Sequence, residues 1–132
     1  HVHWWTRNDP MKHAILAAIL LAAPISAETA VERYAPLSGT WKVDLRVALT
    51  DAPYAQPMVL TVAEDGSLTG SFYNSDILAG RVGRGQDRKC VAFRTTDGNG
   101  FYHSSACLVD GKMIGQTWSE GRNFVLPWTA ER

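Results

Sequence analysis

The sequence predicts an all-β fold, an antiparallel up-and-down β-barrel of about eight strands. Residues 39–49 alternate apolar and polar side chains, which is the period of a strand with one buried and one solvent-facing side. Turn signals then recur about every 8 to 12 residues, the spacing of a β-sandwich or barrel. Two of these turns, at residues 65–70 and 110–115, share the pattern Asp-Gly-x-apolar-x-Gly. A meander of hairpin-linked strands is the simplest arrangement that closes such a chain without exposed sheet edges.

The first 27 residues are expected to lie outside this barrel. Residues 1–10 precede the only plausible initiator methionine, and we treat them as an upstream extension that is not native. Residues 11–27 have a basic start, a short apolar core and a small-residue exit, which is typical of a helical signal peptide cleaved after Ala27. The apolar run is shorter than the roughly 20 residues that cross a bilayer, so no stable membrane span is expected after cleavage. Residues 28–37 are then a lead-in, and residues 38–132 form a single β-barrel domain.

The charge balance bears on the class of partner. The chain has 13 Lys and Arg residues against 13 Asp and Glu residues, a formal net charge of zero. Nucleic acids and anionic membranes attract proteins with a clear basic excess, so no nucleic-acid partner is expected. The localisation follows from the signal peptide, which predicts a periplasmic or secreted protein.

The two cysteines, Cys90 and Cys107, lie in one predicted hairpin of the exported part, where oxidation is expected. If Gly98 and Asn99 form a two-residue turn, the two thiols face each other directly across the ladder, at a spacing that a disulfide can bridge. Closing this loop contributes about 3 kcal/mol in the chain-entropy model. We therefore predict a disulfide, with two free structural cysteines as the alternative.

The lead-in is polar and has room for one helical turn, and Tyr34 is expected to cover one end of the fold. The first strand is predicted to run to about Leu49. The loop that follows, residues 50–57, is longer than the other connections and contains Tyr54. If the barrel has an open mouth, this loop is a candidate to stand at it, because long loops on a rigid scaffold often carry function.

The second and third strands, residues 58–63 and 68–74, are joined around Gly66. A three-residue loop with Gly66 in the left-handed region pairs Met58 with Phe72 and buries one consistent face of the hairpin. A two-residue Asp-Gly turn would mix the two faces, so the first register is preferred.

The remaining strands follow the same pattern. Residues 77–82 form a weaker fourth strand, residues 83–88 a flexible turn, and the cysteine hairpin supplies the fifth and sixth strands. Residues 113–118 and 124–130 complete the sheet, with a break or an edge at Pro127, which cannot donate a ladder hydrogen bond. The last glycine of each repeated turn motif faces inward, where it lets neighbouring side chains fill a narrow interior.

Residues 39–41, Gly-Thr-Trp, at the head of the first strand and Arg132 at the end of the last strand resemble the calycin group of barrels, which includes lipocalins and avidins. In lipocalins the tryptophan closes one barrel end and a basic residue packs across it, so the resemblance implies a barrel-closing structural pair of Trp41 and Arg132. Residues 65–72 also look like the second hairpin of avidins. The avidin position that supplies a tyrosine hydroxyl to biotin falls on Phe72, so the resemblance does not extend to biotin binding.

No catalytic residue, metal site or cofactor is predicted. His103 is the only histidine after the signal peptide, and the hairpin register places it on the outer face, away from the apolar side. A Gly-x-Ser-x-Gly turn and metal-ligand spacing are both absent from the sequence. We therefore expect a protein that is not an enzyme.

Three kinds of side chain are candidates for binding. Aromatic residues are numerous for a small domain, and one tryptophan has the parity of the outer face, where it could anchor a partner. Arginines near the fourth strand and the following turn could form an anion-binding concavity, although charged turns are usually only solvated. The candidate binding residues are Tyr54, Tyr73, Trp118, Arg81, Arg84 and Arg88.

These observations lead to two main hypotheses about function, and a hydrolase that uses His103 is a third option with the least support from the sequence. The first is an exported, non-enzymatic barrel that binds a small apolar or aromatic compound, or a protein segment, at one end. Because Trp41 is expected to close one end, the site is sought at the opposite mouth. The alternative is a secreted or envelope inhibitor or protein-interaction domain that uses the outer surface around Trp118 and its loop.

Overall fold

The barrel is described by a computed structural model that covers residues 28–132. The predicted upstream extension and signal peptide, residues 1–27, lie outside the described residues. Within the described part, no helix is long and apolar enough to cross a membrane. In chain order the elements are α1 (Ala30–Arg33), a 3₁₀ turn (Ala35–Leu37), β1 (Gly39–Asp44), β2 (Ala55–Val62), β3 (Ser67–Phe72), β4 (Ser75–Asp76), β5 (Leu78–Gly85), β6 (Arg88–Thr96), β7 (Phe101–Val109), β8 (Lys112–Ser119) and β9 (Phe124–Glu131).

Eight of the strands close into one antiparallel barrel. In the order β1, β2, β3, β5, β6, β7, β8, β9 each strand pairs with the next, and β9 pairs back with β1. The two-residue strand β4 pairs only with the end of β3. The predicted fold class, an eight-stranded antiparallel up-and-down β-barrel, is confirmed. We call the end where β1 begins the closed end and the end where β1 finishes the mouth.

The hairpin between β2 and β3 has the predicted register. Val62 pairs with Leu68 and Met58 with Phe72, so the apolar side chains of both strands face the interior. Gly66 in the connecting loop has a φ of +83°, the left-handed conformation that the three-residue loop requires.

The disulfide between Cys90 and Cys107 is confirmed. The two residues are direct partners in the β6–β7 ladder, and their Cα atoms lie 4.0 Å apart. Their neighbours Val91 and Ala106 are buried in the core, so strand alternation places the disulfide on the outer face of the barrel. The bond therefore cross-links β6 and β7 without occupying space inside the barrel.

Aromatic side chains fill the middle of the barrel. The Phe72 ring lies 5.4 Å from the Trp128 ring and 5.5 Å from the Phe93 ring, measured between centroids. Gly115 is the cross-strand partner of Trp128, and a Cβ atom on Gly115 would lie 2.7 Å from Trp128 Cη2. This inward glycine therefore gives the indole its space, as the turn motif predicts.

The lead-in folds against the closed end. Thr29 Oγ1 accepts a hydrogen bond from the backbone N of Glu32 at 3.2 Å and so caps the single turn of α1. Tyr34 follows the helix and is buried in the core cluster. The sequence-based expectation of one helical turn with a covering tyrosine agrees with this arrangement.

Trp41 and Arg132 meet at the closed end. The Trp41 ring is buried, and its Nε1 donates a hydrogen bond to the carbonyl oxygen of Leu37 at 2.9 Å. The Arg132 guanidinium carbon lies 4.3 Å from the centre of that ring, and Nη2 donates to the carbonyl oxygen of Pro36 at 2.6 Å. Gly39, at a φ of +115°, leaves room for this arginine, since a Cβ atom there would lie 2.7 Å from Arg132 Nη1.

The first strand is shorter than predicted, because β1 ends at Asp44, and the prediction that it runs to about Leu49 is wrong. Asp44 Oδ1 accepts hydrogen bonds from the backbone N of Arg46 at 3.1 Å and of Tyr54 at 3.4 Å. Arg46 Nε also lies 2.8 Å from the Asp44 carboxylate, as an ionic contact without hydrogen-bond alignment. These local contacts turn the chain out of the sheet, so Val47 and Leu49 are 86% and 89% exposed although their spacing fits a strand.

The flexible turn predicted at residues 83–88 is also wrong. β5 continues to Gly85 and β6 starts at Arg88, so only Gln86 and Asp87 connect them. Both connecting residues have positive φ, 53° and 59°, as in a tight type I′ hairpin. β5 therefore extends past the end of the predicted fourth strand, because the turn needs only two residues.

Two seams of the barrel are thinly paired towards the mouth. β1 pairs with β9 only as far as Asp44 and Thr129, so the first part of β9 has a ladder partner on the β8 side alone. Pro127 lies in this part of β9, which is hydrogen-bonded to β8 only. The strand is therefore an edge strand at Pro127 and is not interrupted there. β3 pairs with β5 only at Ser67 and Leu68. The wall is therefore least continuous near the mouth.

The packing of Gly115 against Trp128 gives a first testable prediction. In Gly115→Ala the new methyl group would lie 2.6 Å from the carbonyl oxygen of Ser105 and 2.7 Å from Trp128 Cη2, so both must shift. We expect the free energy of unfolding in urea to fall by about 1–3 kcal/mol. Gly83→Ala is the matched control, since nothing lies within 4 Å of its Cβ position. Equal losses of stability in the two variants would contradict this view of the core.

Candidate functional site

A cavity of about 510 Å³ opens at the mouth of the barrel, opposite the end that Trp41 closes. Ligand pockets usually measure about 300 to 1,000 Å³, so this volume suits a small molecule. The walls come from the β1–β2 loop, the turn after β3 and the mouth ends of β6 to β9. The lining residues are Leu45, Val47, Tyr54, Phe72, Tyr73, Ser75, Thr95, Asp97, Tyr102, Thr117, Arg122, Phe124 and Leu126.

Hydroxyl groups lie at the inner end of this cavity. Thr117 Oγ1 accepts a hydrogen bond from Trp128 Nε1 at 2.9 Å and lies 2.8 Å from Ser104 Oγ in a second hydrogen bond. Thr95 on the neighbouring strand β6 is also buried, and it lines the cavity. These residues occupy inward positions of their strands, but their side chains are small. The interior is therefore left unfilled at this level, and its surface is partly polar.

Tyr54 and Tyr73, two of the predicted binding residues, meet at the rim above β2 and β3. Their rings pack edge to face with centroids 6.0 Å apart, and their hydroxyl groups share a hydrogen bond. This hydrogen bond to Tyr54 raises the pKa of Tyr73.

Tyr73 also has an unusual backbone conformation. Its φ is +51° and that of Asn74 is +65°, so the pair forms the tight turn between β3 and β4. A left-handed conformation is uncommon for a bulky aromatic residue and costs on the order of 1–3 kcal/mol. The backbone N of Tyr73 donates to the carbonyl oxygen of Pro57 at 3.1 Å, which holds the turn against β2. This turn conformation places the Tyr73 ring at the rim of the cavity.

A second cluster, formed by Asp97, Tyr102 and Arg122, lines the rim on the other side. The Tyr102 hydroxyl donates to Asp97 Oδ2 at 2.7 Å, and Arg122 Nη2 donates to the same oxygen at 3.1 Å. The other carboxylate oxygen accepts from the backbone N of Asn99 and Gly100 at 2.9 and 3.2 Å. The hydrogen bond from Tyr102, followed by the one from Asn99, lowers the pKa of Asp97, and the same bond to Asp97 raises the pKa of Tyr102.

Strand order places these two groups on opposite sides of the mouth. The tyrosine pair extends β2 and β3, whereas the Asp97 cluster extends β6, β7 and the β8–β9 loop. In a closed ring of eight strands, the β2–β3 wall faces the β7–β8 wall. A molecule entering the cavity therefore passes between two aromatic groups that carry hydroxyls.

The β1–β2 loop forms the third part of the rim and is braced by its own side chains. Asp51 Oδ2 accepts from the backbone N of Ala48 at 3.2 Å, and Arg46 Nη1 donates to the carbonyl oxygen of Asp51 at 3.3 Å. Leu45 and Val47 of this loop line the cavity. The loop with Tyr54 thus stands at the mouth, where the sequence places a candidate binding loop.

Trp118, another predicted binding residue, lies on the outer face of β8 and does not line the cavity. It is the cross-strand partner of His103 on β7, and the two rings have centroids 5.1 Å apart. Its partner on β9 is Val125, which is also exposed. This tryptophan belongs to a different surface from the mouth.

The structure does not bring the three predicted arginines together. Arg81 lies near Asp65, whose pKa is lowered mainly by hydrogen bonds from Ser67 and less by the charge of this arginine. Arg84 is three residues further along β5, so strand alternation directs it to the opposite face. Arg88 begins β6 at the closed end of the barrel. None of the three lines the mouth cavity.

Sequence reasoning missed the polar residues of the cavity. Thr95 and Thr117 lie at inward positions where the pattern otherwise places apolar side chains, and Arg122 lies in a turn. The sequence did contain a signal for these two threonines. A small polar residue at a strand position that faces inward indicates that the interior is not filled there. Asp97 precedes the predicted turn at Gly98 and Asn99, and its contact with Arg122 joins two separate loops.

A second depression, also of about 510 Å³, lies between α1 and the β2–β3 turn. Its lining includes Glu28, Arg33, Glu64, Asp65 and Arg81, and it is mostly polar. It therefore lacks the apolar surface that usually holds a small molecule. Among residues 28–132, no group of three or more His, Cys, Asp and Glu residues is placed to hold a metal ion.

No protein-family model, curated protein or solved structure matches this chain. The resemblance to calycins therefore depends on the residues of the chain itself, above all on Trp41 and Arg132. The functional argument depends likewise on the geometry of the mouth.

The Asp97 cluster gives a prediction about pH. Because the folded state lowers the pKa of Asp97, the cluster contributes stability above the ordinary aspartate pKa of about 3.9, and this contribution is lost as the pH falls through the folded-state pKa. In a carbon-13 NMR titration we expect the Asp97 carboxyl to titrate below about 3.9. Tyr102→Phe should raise that pKa, since it removes the largest stabilising hydrogen bond, and Tyr73→Phe should leave it unchanged. An unchanged Asp97 pKa in Tyr102→Phe would contradict the assigned cause.

Proposed function

We propose that this chain is an exported, non-enzymatic β-barrel that binds a small apolar or aromatic compound in its mouth cavity. The observation that carries the proposal is the cavity of about 510 Å³, lined mainly by aromatic and aliphatic side chains. The mouths of β-barrels are common positions for ligand sites, and apolar walls with a few polar groups are their usual composition.

The difference between the two ends of the barrel supports this assignment. At the closed end, the buried side chains of Trp41 and Leu37 fill the barrel interior, and the Arg132 guanidinium packs over the Trp41 ring. At the mouth, no comparable side chain of the described residues fills the interior between Phe72 and the rim. The plug of Trp41 and Arg132 also supports the proposed relationship to calycin-like barrels.

The lining favours binding over catalysis. Asp97 and Arg122 are the charged residues of the lining, and they are bonded to each other. A general base works best with a pKa near the operating pH, whereas the pKa of Asp97 is lowered. His103 lies on the outer wall beside Trp118 and away from the cavity.

One observation favours the alternative function, a secreted or envelope inhibitor or protein-interaction domain. Three apolar side chains of β8 and β9 project from the outer wall: Ile114 is 54% exposed, Trp118 45% and Val125 58%. Trp118 and Val125 are cross-strand partners, so these two side chains lie next to each other on the outer wall. Large aromatic residues at such positions often anchor protein partners.

Export gives a prediction that intact mass can check. We expect expression of the full sequence in a bacterial host to yield a periplasmic or secreted product that begins at Glu28, with Cys90 and Cys107 oxidised. Without reductant, an alkylating reagent should add no mass, and after reduction it should add two groups. Retention of residues 11–27, or alkylation of both thiols without reductant, would contradict the proposed export.

Filling the mouth tests the proposed site directly. N-phenyl-1-naphthylamine becomes fluorescent in an apolar cavity, and we expect the protein to bind it. Ser75→Trp puts an indole into the cavity without removing a core side chain, since Ser75 belongs to the lining. This change should weaken binding at least about tenfold, equivalent to about 1.4 kcal/mol.

The control for this experiment is Trp118→Ala, which removes the largest exposed side chain of the outer wall. It should bind the dye as the unmodified protein does, provided that circular dichroism shows both variants folded. Unchanged binding in Ser75→Trp would overturn the mouth proposal. Loss of binding in Trp118→Ala alone would instead favour the outer-wall alternative.

A further inference from the structure

We propose that the mouth cavity is selective for an uncharged, flat aromatic compound that carries one hydrogen-bonding group, such as a phenolic hydroxyl. The inference rests on the proposed function, because it assigns a ligand class to the same cavity. Three features of the lining carry it: the balance of charge, the arrangement of aromatic rings, and the position of the Thr95 hydroxyl.

The charges of the lining disfavour a charged ligand. Arg122 Nη2 lies 3.1 Å from Asp97 Oδ2, so its positive charge already has a partner. A carboxylate ligand would compete with Asp97 for this arginine and be repelled by it, and an ammonium ligand would be repelled by Arg122. Deeper in the cavity the lining residues are uncharged, and burying an unpaired charge among them is costly.

The aromatic rings favour a flat ligand. Tyr102 and Phe124 lie side by side on one wall, with ring centroids 6.2 Å apart. Tyr54 and Tyr73 face them from the opposite rim. Aromatic pairs prefer offset-stacked or edge-to-face geometry, which a planar ring system between two such walls can adopt with both.

The polar contact is expected at Thr95. The Thr117 hydroxyl is engaged by Trp128 and Ser104, as described above. Thr95 lines the same cavity, and none of the side-chain hydrogen bonds seen among residues 28–132 involves it. The Thr95 hydroxyl oxygen is not among the buried side-chain polar atoms of residues 28–132 that lack a partner, so it is accessible from the cavity. A hydroxyl can both donate and accept, so Thr95 is the group that a ligand hydroxyl or carbonyl would contact.

The test uses three probes of one size, 2-naphthol, 2-methylnaphthalene and 2-naphthoate, titrated calorimetrically at neutral pH. We expect 2-naphthol to bind most tightly and the anionic 2-naphthoate to bind at least about tenfold more weakly. Thr95→Val keeps the shape of the side chain but removes the hydroxyl, so it should weaken 2-naphthol about fivefold. It should leave 2-methylnaphthalene unchanged, and Thr61→Val on the outer face of β2 should change neither.

The outcomes separate this inference from the proposed function. If 2-naphthoate binds as tightly as 2-naphthol, or Thr95→Val leaves 2-naphthol binding unchanged, the ligand class is wrong while the mouth remains a binding site. If none of the three probes binds to the folded protein, the proposed function fails, and the inference fails with it. Selective loss of 2-naphthol in Thr95→Val would support both.

Discussion

The hydrogen bonds of Asp44 set the point at which the first strand leaves the sheet, and the open mouth depends on that point. Its carboxylate accepts from the backbone of Arg46 and Tyr54, which joins the two ends of the β1–β2 loop. If β1 continued beside β9, as the alternation to Leu49 predicts, its side chains would cover the wall beside Leu126. Because the chain turns out instead, the first part of β9 has a partner on one side only, and the cavity reaches the surface.

The size of inward side chains determines where the barrel is solid and where it is hollow. On β6, Phe93 fills the middle of the interior, and the next inward residue towards the mouth is Thr95. On β8, Met113 is followed in the same direction by Gly115, which makes room for Trp128, and then by Thr117. Both strands thus change from large apolar to small polar side chains towards the mouth. The cavity is the volume that these smaller side chains leave free, and the hydroxyls of Thr95 and Thr117 line it.

Features that depend on sequence period and turn chemistry could be predicted from the sequence. They include the barrel class, the register that pairs Met58 with Phe72, and the disulfide between Cys90 and Cys107. The early end of β1 could not be predicted, because side-chain hydrogen bonds of Asp44 compete with an alternation that still reads as a strand. The site was predictable only in part: Tyr54 and Tyr73 were candidates, but it is the left-handed turn at Tyr73 that brings their hydroxyls together. Long-range contacts, such as the one between Asp97 and Arg122, leave no local pattern in the sequence from which they could be predicted.

The strands around the mouth differ in how completely they are hydrogen-bonded to their neighbours. β6, β7, β8 and β9 pair along nearly their whole length, and the disulfide joins β6 to β7. Thr95, Tyr102 and Thr117 belong to this wall. The tyrosine pair stands on the other half, where β3 has left β5 and β1 has left β9 before the mouth is reached. Segments with few ladder hydrogen bonds open at lower free energy, so the mouth can widen along the β1–β9 and β3–β5 seams while the wall that recognises a ligand keeps its geometry.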